Sequence, residues 1–245
     1  MVRLPRIHWA AEQIDREATW LPRLAPHLSV AVPEQVAVGE PGAGYPYRWA
    51  VHRWIPGDGA ALPPGRRSRH LCARPLQRDW EAPRPAHRWR PAARGRTQPL
   101  LEYDESTRRA IDRASHLIDA MVATAVWEEA LAAAPYVDAP VWVHGDLVGN
   151  CLARDGRLCG IVDWGSACAG DPAVDVQVVW SPLFTAESRR AFIDALRVDN
   201  DTLARSRGAA INQACAALPY YLYTYPLIVE RSWHKLAALG VPPLA

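Results

Sequence analysis

The sequence predicts an α+β chain, strand-bearing toward its N-terminus and mostly helical in its second half. Three observations predict it. Short extended runs lie between Val30 and Pro56, broken by Pro33, by a Gly39-to-Gly44 turn and by Pro56-Gly57. Apolar residues at helical spacing dominate from Ser106 onward. One hairpin pattern interrupts the helices: Cys151 to Ala153 and Leu158 to Val162 flank Asp155-Gly156, a pair that favours a tight reversal. The chain has 245 residues, enough for one large domain or two small lobes, and its 49% hydrophobic content is enough for a core.

In chain order, Val2-Arg3-Leu4 reads as the end of a strand that Pro5 stops. A helix is expected from about Trp9 to Leu24, with Ile14, Ala18, Leu21 and Leu24 on one face. Tyr47 to Ile55 alternates like a partly buried strand. Gly59 to Leu100 departs from the rest, being crowded with Arg and Pro and almost lacking acids beyond Asp79 and Glu81. No helical stripe survives those prolines, so disorder or poor packing is expected there. A basic nucleic-acid- or partner-binding arm with Trp80 and Trp89, a surface linker and an out-of-frame reading of a GC-rich gene each account for it. Ser106 to Ala134 reads as one helical run, with Ala110, Ile111, Ala114, Leu117, Ile118 and Met121 on a buried face, ended by Pro135. Val141 to Val143 is a buried strand end. Further helices are expected at Val176 to Trp180, Ala186 to Leu196, Thr202 to Leu218 and Ile228 to Leu239, broken by Pro182, Pro219 and Pro226.

Composition excludes several function classes. A net charge of +2 points to neither a nucleic-acid nor a membrane-surface binder. The cysteines Cys72, Cys151, Cys159, Cys168 and Cys215 are odd in number and form no CxxC pair, against a disulfide framework or a zinc site. Pro5, Arg6 and His8 stand where a leader would be apolar, and no apolar run reaches the ~20 residues of a membrane span. A cytoplasmic protein is expected, its oligomeric state unknown. Lys235 is the only lysine in a chain otherwise built with arginine, which fits a GC-rich coding sequence.

The chemistry gathers at the hairpin. His144-Gly-Asp146 follows the strand end, Asn150 opens the first hairpin strand and Asp163 closes the second. A hairpin brings its ends together, so Asn150 and Asp163 become neighbours with Asp146 upstream, a set of oxygen donors suited to Mg²⁺ and phosphate. His144-x-Asp146 with Asn150, Ile161-Val-Asp163-Trp-Gly165 and Gly170-Asp171-Pro172 with Asp175 resemble the aminoglycoside phosphotransferase family, relatives of the protein kinases. The resemblance implies a protein-kinase-like two-lobe fold with a truncated small β lobe and a mostly helical large lobe. It divides the chain into a partial nucleotide-binding lobe and hinge over 1–57, an atypical stretch over 58–100 and a catalytic and substrate-binding lobe over 101–245.

The same resemblance implies transfer of the γ-phosphoryl group of ATP or GTP, assisted by Mg²⁺, to a hydroxyl of a small molecule such as an aminoglycoside antibiotic. Asp146 then orients the hydroxyl and accepts its proton, and Asn150 and Asp163 hold the metal. Arg3 falls where the family's strand carries a basic phosphate contact, and Glu17 where a helix acid holds it, with Glu12 competing for that place. Arg53, Trp54 and Ile55 fall at the hinge that meets the nucleotide base. His144 is expected to brace the loop, Asp171 to cap or brace, and Asp175 to be the loop's buried partner. Acids for a cationic acceptor are available in Glu187, Asp194, Asp199, Asp201 and Glu230, and Tyr220, Tyr221, Tyr223 and Tyr225 are available to stack on sugar rings.

Two features depart from the family. The chain starts after the strands and turn with which such small lobes begin, so the resemblance implies an N-terminally truncated member. The family places four residues between the Asp and the Asn, whereas here only Leu147, Val148 and Gly149 intervene. One residue fewer shortens the path by up to about 3.5 Å. A catalytically impaired remnant, or a pseudokinase-like binding protein from a truncated or frameshifted gene, is therefore the alternative to an active enzyme.

Overall fold

The computed structural model describes residues 1–59, 97–155 and 157–244. Nearly all of the Arg- and Pro-rich stretch, and the expectation of poor packing there, lies outside the described residues. The first sheet has the order β1-β3-β2, formed by β1 (Val2–Arg3), β2 (Gln35–Gly39) and β3 (Trp49–His52), all antiparallel. Arg3 pairs with Ala50, and the expected alternation holds along β3, where Ala50 and His52 are buried and Trp49 and Val51 half-buried. Pro5 separates β1 from α1 (His8–Leu24). The predicted face of α1 turns inward, with Ile14, Leu21 and Leu24 buried and Glu17 between them.

The hairpin forms from β6 (Cys151–Arg154) and β7 (Arg157–Ile161), with Asp155 at φ 52 in the tight turn. β4 (Asp58–Gly59) adds to its outer side, giving the order β4-β6-β7. The small lobe is tied to this sheet at Ala31, which bridges Gly160 in parallel and exchanges backbone bonds with Cys159 (3.1 Å) and Ile161 (2.9 Å). β5 (Val141–Val143) pairs with β8 (Cys168–Gly170) and carries the chain into the loop that starts at His144.

The expected single run over Ser106 to Ala134 is two helices, α2 (Asp104–Ala114) and α3 (Ala120–Ala132). Two features break it. The Asp119 carboxylate caps α3 by accepting from the amides of Met121 and Val122 (3.0 and 3.1 Å). The chain's end also pairs with the break: Leu244 N–H donates to Leu117 O, and Asp119 N–H to Pro242 O. The restart rotates the helical face, so Met121, expected inside, is 83% exposed.

α4 (Ala173–Val176) continues as a 3₁₀ turn to Trp180, and α5 spans Ala186–Leu196. α6 (Asn200–Tyr221) is the axis of the large lobe, burying Ala210, Ile211, Ala214, Cys215 and Leu218. Pro219, expected to break this helix, lies inside its last turn. It forfeits the bond its N–H would make to the carbonyl four residues earlier, but only two residues of the helix follow it, and the buried face outweighs that loss. α7 (Pro226–Ala238) starts on Pro226, where the missing N–H costs nothing. No helix among the described residues is long and apolar enough to cross a membrane.

Candidate functional site

β5 delivers His144, and the buried His144 ring organises the loop that follows. Its Nδ1 accepts from the Asp146 amide at 3.2 Å, so Nε2 carries the proton and donates to Val162 O at 2.9 Å. One imidazole thereby links the loop to the end of β7. Beneath it, Asp175 accepts from the amides of His144 (2.6 Å) and Gly145 (2.9 Å). Burial pushes the Asp175 carboxyl up, and these two N–H bonds oppose that push. The loop geometry is thus fixed from below by backbone bonds.

The shortened spacing closes as a turn. Asn150 N–H donates to Leu147 O at 3.0 Å, and its amide Nδ2 donates to Asp146 O at 2.7 Å. Gly149 makes this possible with φ 98, and the Arg231 guanidinium lies where a Cβ at Gly149 would sit. Val162 N–H donates to Asn150 O at 2.9 Å, pinning Asn150 beside the residue before Asp163. Asp163 itself is left-handed (φ 60, ψ 61), which turns the chain out of the strand and leaves its side chain half exposed.

Arg3 and Glu17 meet across the small lobe. The Arg3 guanidinium donates to Glu17 Oε1, to Gln13 Oε1 at 3.0 Å and to Asp163 Oδ1 at 2.6 Å. One cation therefore joins β1, α1 and the end of the hairpin. The Glu17 side chain is buried, its Oε2 has no hydrogen-bond partner among the described residues, and burial raises its pKa while Arg3 pulls it back. Arg16 adds a second tie to the same loop through Gly165 O at 2.9 Å.

The hinge candidates divide. The Arg53 side chain pairs with Glu34 in solvent, its amide donates to Glu34 O at 2.8 Å, and Trp54 is 66% exposed. Ile55 packs toward Gly160 on β7. Two expected acceptor acids have structural work instead: Asp199 caps α6 through Thr202, and Asp201 accepts from the Ala134 amide at 3.0 Å. Tyr220 and Tyr223 are 75% and 92% exposed, whereas Tyr221 lines a cavity of about 320 Å³ with Leu100, Tyr103, Gln177 and Gln213. Asp171 caps α4 through Ala173 and pairs with Arg205 at 2.7 Å on the cavity wall.

Sequence reasoning missed Gln13, Gln213 and Arg231. None belongs to a motif, and each reaches the site only through packing of its helix. Gln213 Nε2 lies 3.4 Å from Asp146 Oδ1. Magnesium is held by one or two protein oxygens together with phosphate oxygens and water. Asp163, with Asn150 Oδ1 as the acceptor left by the amide bond to Asp146, suits that chemistry. Among the described residues no group of three or more His, Cys, Asp or Glu could hold a metal alone, so these two would hold the ion only in company with phosphate.

Residues 1–210 match the profile of the phosphotransferase enzyme family. The chain belongs to that family. Solved phosphotransferases share its protein-kinase-like fold over almost its whole length. Macrolide 2'-phosphotransferase MphH from Brachybacterium faecium is 22% identical, with 98% of this chain and 82% of that one aligned at a TM-score of 0.58. APH(2")-IIia, solved with GDP and kanamycin, is 18% identical over 98% and 86% of the two chains at 0.63. Wild-type aminoglycoside 2'-phosphotransferase-IIIa, solved with GDP, is 17% identical over 98% and 85% at 0.65. No curated protein sequence matches the chain. As a phosphotransferase, the chain is an enzyme, and its Arg3 network joins β1, α1 and the end of the hairpin.

Proposed function

We propose that this phosphotransferase moves the γ-phosphoryl group of ATP or GTP to a hydroxyl of a small molecule, with an aminoglycoside as the first acceptor to test. The observation that carries the reading is Arg3, which the buried Glu17 holds beside the end of the hairpin. A guanidinium held by a buried carboxylate beside an exposed one is a phosphate clamp built next to a cation site. Solved relatives bound to GDP, one also to kanamycin, support a nucleotide donor and a small-molecule acceptor.

Phosphoryl transfer is mostly positioning and charge stabilisation. Arg3 orients the phosphates, Glu17 and Gln13 hold Arg3, and Asp146 orients the acceptor hydroxyl and takes its proton as the new oxygen–phosphorus bond forms and the bond to the nucleoside diphosphate breaks. Asn150 and Asp163 would hold Mg²⁺, which would neutralise phosphate charge. The activity belongs in the cytoplasm, where the nucleotides are.

One observation favours the impaired reading. Arg3 places a positive charge on Asp163 where the metal's charge belongs, so the site closes on itself. Two measurements separate the readings. Mg²⁺ with ATP or GTP at 100 times its Kd stabilises a binding protein by about 2.7 kcal/mol, read as a rise in Tm. ADP or GDP release on adding kanamycin or a macrolide then reports transfer, and Asp146→Asn lowers kcat by about 10²–10⁴ with the nucleotide-dependent Tm rise retained. A Tm rise without product in any acceptor selects the impaired binding protein, and the absence of both signals overturns nucleotide binding altogether.

A further inference from the structure

Lys235 on α7 is 3% exposed, and no other lysine occurs in the chain. Its ammonium donates to Gln213 Oε1 on α6 and to Gln177 Oε1, 3.4 Å away in the 3₁₀ turn after α4. The other end of the Gln213 amide donates to Asp146 Oδ1 at 3.4 Å. We infer that Lys235, acting through Gln213, is a positioning residue for Asp146. This inference rests on the phosphotransferase reading for its catalytic consequence, but not for the coupling itself.

The polarity of the chain of groups carries the argument. An ammonium has only donors and a carboxylate only acceptors, so an amide between them can be placed one way round. Lys235 takes Oε1, and Nε2 is left to face Asp146. A buried ammonium requires acceptors to replace its hydration, which the two glutamine oxygens supply, and the carboxylate beyond the amide balances its charge. At 3.4 Å the last link is long, as such bonds are before substrate arrives, and it orients the carboxylate more than it binds it. Behind the loop, Arg231 lies against Gly149, so α7 reaches the segment between Asp146 and Asn150 while α6 reaches Asp146 itself. Composition adds an independent point. Of the 28 basic residues only this one is lysine, and a compact ammonium with three donors fits between two amide oxygens where a planar guanidinium fork does not.

The test reads the coupling with and without activity. In protein labelled with ¹³C at the lysine Cε, the single lysine gives a single resonance. Asp146→Asn shifts that resonance in the wild-type background and leaves it unmoved in a Gln213→Leu background. An Asp146→Asn protein with an unmoved Lys235 signal, or an equal shift in both backgrounds, overturns the relay whatever the enzyme does. In the active enzyme, Lys235→Met and Gln213→Glu lower kcat about tenfold with KM for nucleotide and acceptor within about twofold, a transition-state loss. Gln213→Glu keeps a partner for Lys235, so its Tm stays near wild type and separates positioning from loss of fold. Wild-type kcat in the folded Gln213→Glu protein overturns the inference. An inactive wild type counts against the proposed function alone, and the resonance then decides the relay.

Discussion

Arg3 is held by three side-chain oxygens from two segments, and the least exposed of its partners, Glu17, shapes how the site answers to pH. Burial raises the Glu17 pKa above its ordinary 4.5, and Arg3 lowers it only in part. A raised carboxyl pKa means the fold favours the protonated form. The stability that Glu17 contributes is therefore complete below the unfolded value and is lost as pH rises through the folded one. Glu17→Gln removes that titration. Urea melts from pH 4.5 upward should show wild-type stability falling relative to the variant across this window; parallel curves would place the carboxylate's charge at no cost to folding. The resemblance named Arg3 and Glu17, with Glu12 as the competing acid, and the structure pairs the first two. Gln13 was not legible in the sequence, since it is one turn from Glu17 and nothing in its type marks it as a ligand.

The loop from His144 to Asn150 and the hairpin are the elements that set the candidate site, and both are legible in local sequence. Turn chemistry at Asp155-Gly156 acts over a few residues, so it survives whatever the distant chain does. The loop's shortened spacing was also visible, but its remedy was not. Gly149 takes φ 98 and lets Arg231 approach, and Asn150 folds back on Leu147 and Asp146. Gly149→Ala meets both costs: left-handed strain of about 1–3 kcal/mol and displacement of the guanidinium. The expected outcome is a loss of at least about 2 kcal/mol in chemical denaturation. Adding Arg231→Ala should recover the steric part and leave the strain. A Gly149→Ala protein as stable as wild type would mean the loop relaxes freely. The break between α2 and α3 was illegible for the opposite reason, because its partners are residues 242 and 244, far along the chain.

At the scale of the whole molecule, the large lobe is organised round α6, and the lobes meet through α1, where the Trp20 ring packs 5.0 Å from Trp142 on β5. The cysteines report on that packing. Burial pushes the thiols of Cys151 and Cys215 up to about 12, so both stay protonated and shielded at pH 8. Cys159 is only half-buried. Brief maleimide treatment of the native protein, followed by peptide mass spectrometry, should label Cys159 first and leave Cys151 and Cys215 unmodified until denaturant is added. Equal labelling of all three would show a core open to reagent. Cys72 lies outside the described residues and its peptide is scored apart.

By itself the sequence determined what depends on neighbours in the chain: the hairpin, the helix after β1, the order of the His144, Asp146, Asn150 and Asp163 motif, and hence the family. Those features arise from turn residues, periodicity and short spacings, whose energetics are local. Only the tertiary structure decided what depends on side chains brought from afar. It set Arg3 on Asp163, brought Gln213 to Asp146 and Lys235 to Gln213, split one expected helix into two and gave Asp199 and Asp201 to helix and backbone bonds. A single sequence encodes such pairings in the way helices pack, a property of the whole core that no short window of residues contains.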